Sequence, residues 1–332
     1  MSPDATKKIL VLFFDRLPTR WISGYGSDWL ETPEFDKMMA EGLTFDDYFS
    51  ANIDPNDDSW IDPLLEKLEG NDIPLEQEFL PLSHLAATLE ASEDDEPTEE
   101  EALVADTLEE IVGFFSEEEA GVYWLEIQTN LSERLAQQLP DDREPASSAI
   151  AELMKQADFL VGMIRETLKQ RELEDKVSII LTSGEGCPLP HQKAGTLHSA
   201  ATHLPLIVLH PNAAIGERRE AICTEIDLAD FLVNGNSSEQ EPLGLTPLFQ
   251  SDLAQLHEYL IQKSADAIAL RTPAWLFIEQ AERNLLFKKP EDRFEVNDLS
   301  NKQQEWCESA RKFLQLVKNS LTPLPLPEPL KT

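Results

Sequence analysis

The chain has 332 residues, with 27 Lys and Arg against 63 Asp and Glu, a formal net charge of −36, and 41% of its residues are hydrophobic. That length and apolar fraction are enough for one large core with at most a small satellite. The charge repels phosphate backbones and anionic headgroups, which excludes nucleic acid and membrane surfaces as partners.

Residues 8–14, KILVLFF, are a continuous apolar run ending at Asp15, the pattern of a strand buried on both faces of a mostly parallel sheet. Thr32 reads as a helix N-cap, Pro33 as a first-turn proline, and residues 34–41 as a short helix that stops at Gly42. Residues 68–133 then hold 20 Asp and Glu and no Lys or Arg, more than half of the net charge. Within that window, residues 90–101 (EASEDDEPTEEE) have few apolar groups to bury and read as a solvated loop or frayed helix end. Such a window keeps the protein soluble or docks a basic protein. Residues 121–127 (GVYWLEI) read as a second strand.

Over residues 147–171, apolar side chains recur three and four apart, from Ile150 through Leu153, Met154 and Ala157 to Leu168, which predicts an amphipathic helix. Residues 177–181 (VSIIL) and 204–209 (LPLIVL) are again buried-strand patterns. Strands alternating with helices imply an α/β sandwich whose central sheet is mostly parallel. After about residue 234 the pattern changes. A loop is expected over 242–249, a helix over 253–264, short antiparallel strands over 267–270, 275–279 and 284–287, and a closing helix over 303–320. The proline-rich tail TPLPLPEPLKT is expected to be extended. The predicted organisation is a large domain over 1–250, with the acidic window as an insertion at about 68–133, and a small α+β subdomain over 251–332.

Cys187, Cys223 and Cys307 are odd in number and far apart, so neither a disulfide framework nor a CxxC metal knuckle is available. No basic and then apolar leader opens the chain and no apolar run reaches about 18 residues, so a cytoplasmic protein is expected. There is no Gly-rich phosphate loop and no HExxH. The Asp57-Asp58 and Glu117-Glu118-Glu119 runs read as solvated charge, because chain neighbours seldom converge on one substrate.

Six stretches, in order, resemble the sulfatase branch of the alkaline phosphatase-like superfamily. The opening KKILVLFFDRLPTRWISGYGSDWLETPEFDKMMAEGLTFDDYFSA is similar to that family's first strand, "YG" loop and "TPNLDRLAAEG" helix. ADFLVGMIRETLKQRELEDKVSIILTSGEG resembles the helix and strand that deliver "TSDHG". HLPLIVLHPN, TEIDLADFLV, ALRTPAWLFI and RFEVNDLSNKQQEW resemble later family segments. The resemblance implies a sulfatase-like α/β domain, a divalent cation held by paired aspartates and by the "TSDHG" pair, and a modified cysteine or serine nucleophile.

Carried over residue by residue, that inventory is short. Phe14 and Asp15 stand at the paired-aspartate positions, so one carboxylate remains. Thr182 and Ser183 are kept, but Gly184 replaces the aspartate and Glu185 the histidine of "TSDHG". The nucleophile falls near Pro55, Asn56 and Asp57, with Ser59 the nearest hydroxyl and no arginine beside it. His191, Lys193, His198 and His203 fall in the loop where the family holds sulfate; Lys193 is the candidate binding lysine, and the histidines read as loop residues or as a weak anion or transition-metal site.

The expectation is a sulfatase-like pseudoenzyme with a binding role, no cofactor, and Asp15 and Glu185 as a vestigial metal pair. The alternative is a divergent sulfuric or phosphoric ester hydrolase using Asp15, Asp57, Glu185 and Lys193 around Ca2+ or Mg2+. A third reading is an acidic adaptor for a basic protein.

Overall fold

The computed structural model describes residues 8–52, 60–71, 73–85, 98–117, 120–131, 143–188, 196–210, 216–234, 244–250, 255–281, 283–320 and 323–331. The chain runs β1 (Lys8–Arg16), α1 (Pro33–Glu41), β2 (Leu43–Phe45), β3 (Tyr48–Phe49), α2 (Ile61–Gly70), β4 (Leu75–Pro81), α3 (Glu99–Glu117), β5 (Gly121–Gln128), α4 (Arg143–Gln170) and β6 (Ser178–Glu185). It continues through α5 (Ser199–Thr202), β7 (Leu206–Leu209), β8 (Glu217–Arg219), β9 (Cys223–Thr224), α6 (Glu225–Asn234) and α7 (Thr246–Gln250). A second unit follows, with β10 (Leu260–Lys263), β11 (Ala267–Arg271), β12 (Trp275–Gln280), β13 (Asn284–Lys288) and α8 (Gln304–Lys318).

The main sheet has the order β4-β5-β1-β6-β7-β2-β8. All neighbours are parallel except β7, which runs antiparallel to β6 and β2. Side chains alternate along a strand, and in β1 both sets are apolar. Leu10, Leu12 and Phe14 join the core that holds Ile150, Leu153 and Leu160 of α4. Ile9, Val11 and Phe13 join the opposite core with Leu64 and Leu68 of α2 and Leu228 of α6. The sheet is thus covered on both faces, as its continuous apolar strands require. No helix among the described residues is long and apolar enough to cross a membrane.

The acidic window is no appendage to this sheet. It supplies β4 at the edge, α3, and β5 beside β1, because its apolar residues, among them Val122, Trp124 and Ile127, are buried while its carboxylates face outward. Residues 90–97, Glu118 and Glu119 lie outside the described residues. Thr32 does not cap α1 through its side chain. Its hydroxyl meets Ser23 Oγ at 2.6 Å instead, and Asp158 of α4 accepts the free N–H groups of Glu34 and Phe35, both at 2.9 Å. A distant carboxylate therefore does the capping.

Two further expectations are corrected in the C-terminal third. Of the helix expected over 253–264, residues 255–259 are irregular and 260–263 are β10, since Leu260 and Gln262 alternate inward to pair with β11. Part of the expected loop at 242–249 is the short helix α7, set by burial of Leu245 and Leu248. The strands at β11, β12 and β13 form an antiparallel sheet. Trp306, Ala310, Phe313 and Leu314 of α8 cover one face of it. Its first strand is tied to the main domain by the Lys263 N–H to Ala51 carbonyl bond, 2.9 Å, and by Gln262 Nε2 donating to the Ser50 carbonyl at 2.7 Å.

Candidate functional site

In a parallel sheet, ligands gather at the carboxyl ends of the strands. Here β1, β5 and β6 bring Asp15, Arg16, Thr129 and Glu185 together. Asp15 Oδ1 accepts from the Arg16 N–H (2.7 Å), the Thr129 N–H (2.8 Å) and the Thr129 hydroxyl (2.6 Å). The Arg16 guanidinium pairs with Glu185 at 2.5 Å, a contact built by the register that places Arg16 opposite Glu185. Burial raises the Glu185 carboxyl pKa, Arg16 opposes that rise, and the Asp15 charge adds to it.

A hard divalent cation needs several converging oxygen ligands, and the described residues do not fit one. Phe14 is fully buried in the core. Gly184 has no room for the missing carboxylate, since a Cβ there would lie 2.9 Å from Phe13 Cζ and 3.2 Å from the Asp15 carbonyl oxygen. Glu185 already has a cation in Arg16. Among the described residues, no three His, Cys, Asp or Glu side chains are placed to hold a metal ion. Pro55, Asn56, Asp57, Ser59, His191 and Lys193 lie outside the described residues.

His198 and His203 do not act together on one ligand. His198 Nδ1 meets Glu295 at 2.6 Å, whereas His203 Nε2 meets the Asp46 carbonyl at 2.7 Å. Burial, with Arg271 and Lys289 nearby, pushes His203 down to about 4, so its imidazole is neutral at pH 7 and Nε2–H is the donor to that carbonyl.

A second region went unforeseen in the sequence. Between the carboxyl end of the main sheet and the four-stranded sheet lies a cavity of about 590 Å³. Five basic side chains reach it, namely Arg20, Arg218, Arg271, Lys289 and Arg293, against four acidic ones. At its floor, Glu295 is almost wholly buried and accepts from Lys289 Nζ (2.6 Å), His198 (2.6 Å) and the Ser199 N–H (3.1 Å) and hydroxyl. Burial alone would raise the Glu295 carboxyl, but the His198 hydrogen bond and the charges of Lys289 and Arg271 hold it far below the usual range. Arg271 lies 4.0 Å over the Phe49 ring and donates to Ser199 Oγ (3.0 Å) and Gln262 (3.1 Å). The available signal was charge contrast, five of the 27 basic residues recurring around one cavity, which only the fold brings together.

No family model and no curated protein matches the sequence. The fold, however, is shared with solved structures. A Bacteroides thetaiotaomicron protein, BT33336S-sulf, from work on the metabolism of multiple glycosaminoglycans, superposes with a TM-score of 0.68 at 15% identity, over 95% of this chain and 100% of that one. The phosphonate monoester hydrolase of Silicibacter pomeroyi gives 0.69 at 12% identity, over 94% of each chain. That of Agrobacterium radiobacter gives 0.65 at 13%, over 94% of this chain and 95% of that one. With its mixed, mostly parallel seven-stranded sheet and its C-terminal antiparallel sheet, the chain shares the fold of solved sulfatase-like and phosphonate monoester hydrolase structures.

Proposed function

We propose that this chain is a sulfatase-like scaffold that does not cleave sulfate or phosphate esters and acts instead by binding. The observation that carries the reading is the charge arrangement at the ends of β1 and β6. Glu185 is neutralised by the chain's own Arg16, and Asp15 Oδ1 is taken up by Arg16 and Thr129. Without a cation to offset charge in the transition state, little remains to supply the roughly 8–23 kcal/mol by which enzymes lower barriers. The acidic window offers a surface for a basic partner. Its Glu78 carboxyl is pushed up by burial and by the neighbouring Glu110, so it is short of positive charge, and binding there should weaken with salt.

The test is turnover. Purified full-length protein is assayed with aryl sulfate and aryl phosphate esters in Ca2+, Mg2+ or chelator. The reading expects no rate above buffer in any arm. Cation-dependent hydrolysis that disappears in Asp15→Ala would overturn it.

A further inference from the structure

The inter-sheet cavity differs from the Asp15 crevice in that some of its charges have no partner. Arg218 is engaged by Asp46, Lys289 by Glu295, and Arg271 by Ser199 and Gln262. Arg20, by contrast, makes no hydrogen bond or ion pair among the described residues; near it lie the Trp21 ring, 6.0 Å away, the Cys187 thiol and the repelling Arg293. Arg293 donates only to the carbonyls of Tyr25 (2.8 Å) and Gly26 (3.2 Å), so it too lacks a carboxylate. In a chain with 63 acidic residues, Arg20, half-buried, and Arg293, exposed and 5.7 Å over the Phe294 ring, thus keep guanidinium donors that no carboxylate takes.

The same cavity carries the opposite vacancy. The carboxylates of Asp47 and Glu220 line it and have neither a hydrogen bond nor an ion pair among the described residues. Asp47 is partly buried; burial raises its carboxyl, Arg271 and Lys289 nearby oppose that rise, and Asp46 and Glu220 add to it. A simple anion such as sulfate would satisfy the arginines but meet these two acids. A simple cation would meet the arginines. A neutral ligand would leave the hydrogen-bonding capacity of Arg20 and Asp47, the two less exposed of these groups, unused.

We propose that this cavity binds a small zwitterion of the amino-acid class, its carboxylate held by Arg20 and Arg293 and its ammonium group by Asp47 and Glu220. The volume is within the ordinary small-molecule range of roughly 300–1,000 Å³. Phe294, 56% exposed, provides an apolar wall for a side chain. The site is separate from the ester-cleaving chemistry excluded above, and either reading can fail without the other.

The experiment is calorimetric titration of the full-length protein near neutral pH with each common amino acid in turn. Acetate, ethylamine and inorganic sulfate serve as single-charge probes. At least one amino acid should bind with a submillimolar Kd, and each single-charge probe should bind roughly a hundredfold more weakly. Arg20→Gln and Asp47→Asn should each weaken the best amino acid by about tenfold or more. Neither side chain makes a hydrogen bond, so both variants should fold; should one fail, Glu220→Gln on its exposed side chain reads the same vacancy. No binding at about 10 mM of any amino acid, sulfate binding as tightly as the best of them, or an unchanged affinity in Asp47→Asn would each overturn the proposal.

Discussion

The crevice at the ends of β1 and β6 and the cavity beneath the C-terminal sheet lie at the same end of one scaffold, yet they treat charge in opposite ways. In the crevice each described charged group is engaged from within the chain: Arg16 with Glu185, and Asp15 Oδ1 by Thr129 and the Arg16 backbone. In the cavity a network around Glu295 lies beside Arg20, Asp47 and Glu220, whose side chains make no hydrogen bond or ion pair among the described residues. Groups already engaged with one another have less left to offer a ligand. Unmatched groups held on a rigid floor are what recognition requires.

That contrast can be broken in four places, from the largest expected effect down. Glu295→Ala removes the carboxylate that bonds Lys289 and offsets the Arg271 charge, leaving these two buried cations only the weaker compensation of Asp47 and Asp292. Its unfolding free energy, measured in urea, should fall by about 3–5 kcal/mol, and a loss below about 1 kcal/mol would mean that the network is not the cavity's support. Asp15→Ala strands the Thr129 N–H and hydroxyl. It should cost about 2 kcal/mol and, on the non-hydrolytic reading proposed above, leave the ester-cleaving rate at the buffer level.

Asp47→Asn has a sign that depends on pH. Burial raises the Asp47 carboxyl from 3.8 to about 6, with Arg271 opposing and Asp46 and Glu220 adding to the rise. The unfolded chain therefore releases this proton first, so Asp47 costs stability as pH climbs from 3.8 through 6 and the full cost is present above that. Asp47→Asn should be more stable than the parent at pH 8 by roughly 1–2 kcal/mol, with the gain gone at pH 4. A difference that does not change with pH, in thermal unfolding followed across that range, would contradict the assignment. The smallest effect belongs to Arg218→Ala, whose ion pair with Asp46 is 44% exposed on the arginine side. It should cost less than about 1 kcal/mol, and less again in high salt.

Much of the scaffold was legible in the sequence because its signals are local. The run ending at Asp15, the three-and-four spacing from Ile150 to Leu168 and the short strands after residue 266 each name an element by its own periodicity. The missing ligands at Phe14 and Gly184 were equally legible, since absence of an oxygen donor is a property of one position. What escaped were long-range pairings. That Arg16 would replace a cation on Glu185 depends on the β1–β6 register, and that Asp158 would cap α1 depends on how α4 packs against it. The misread stretch at 260–263 shows no apolar alternation because its second inward residue is Gln262, so only pairing with β11 reveals the strand.

The most direct measurement is of the ion itself: calorimetric titration of Ca2+ and of Mg2+ into the full-length protein and into Asp15→Ala, at an ionic strength high enough to screen diffuse attraction to the acidic surface. The account predicts indistinguishable traces for the two proteins. A one-to-one binding event in the parent that vanishes with Asp15 would contradict it.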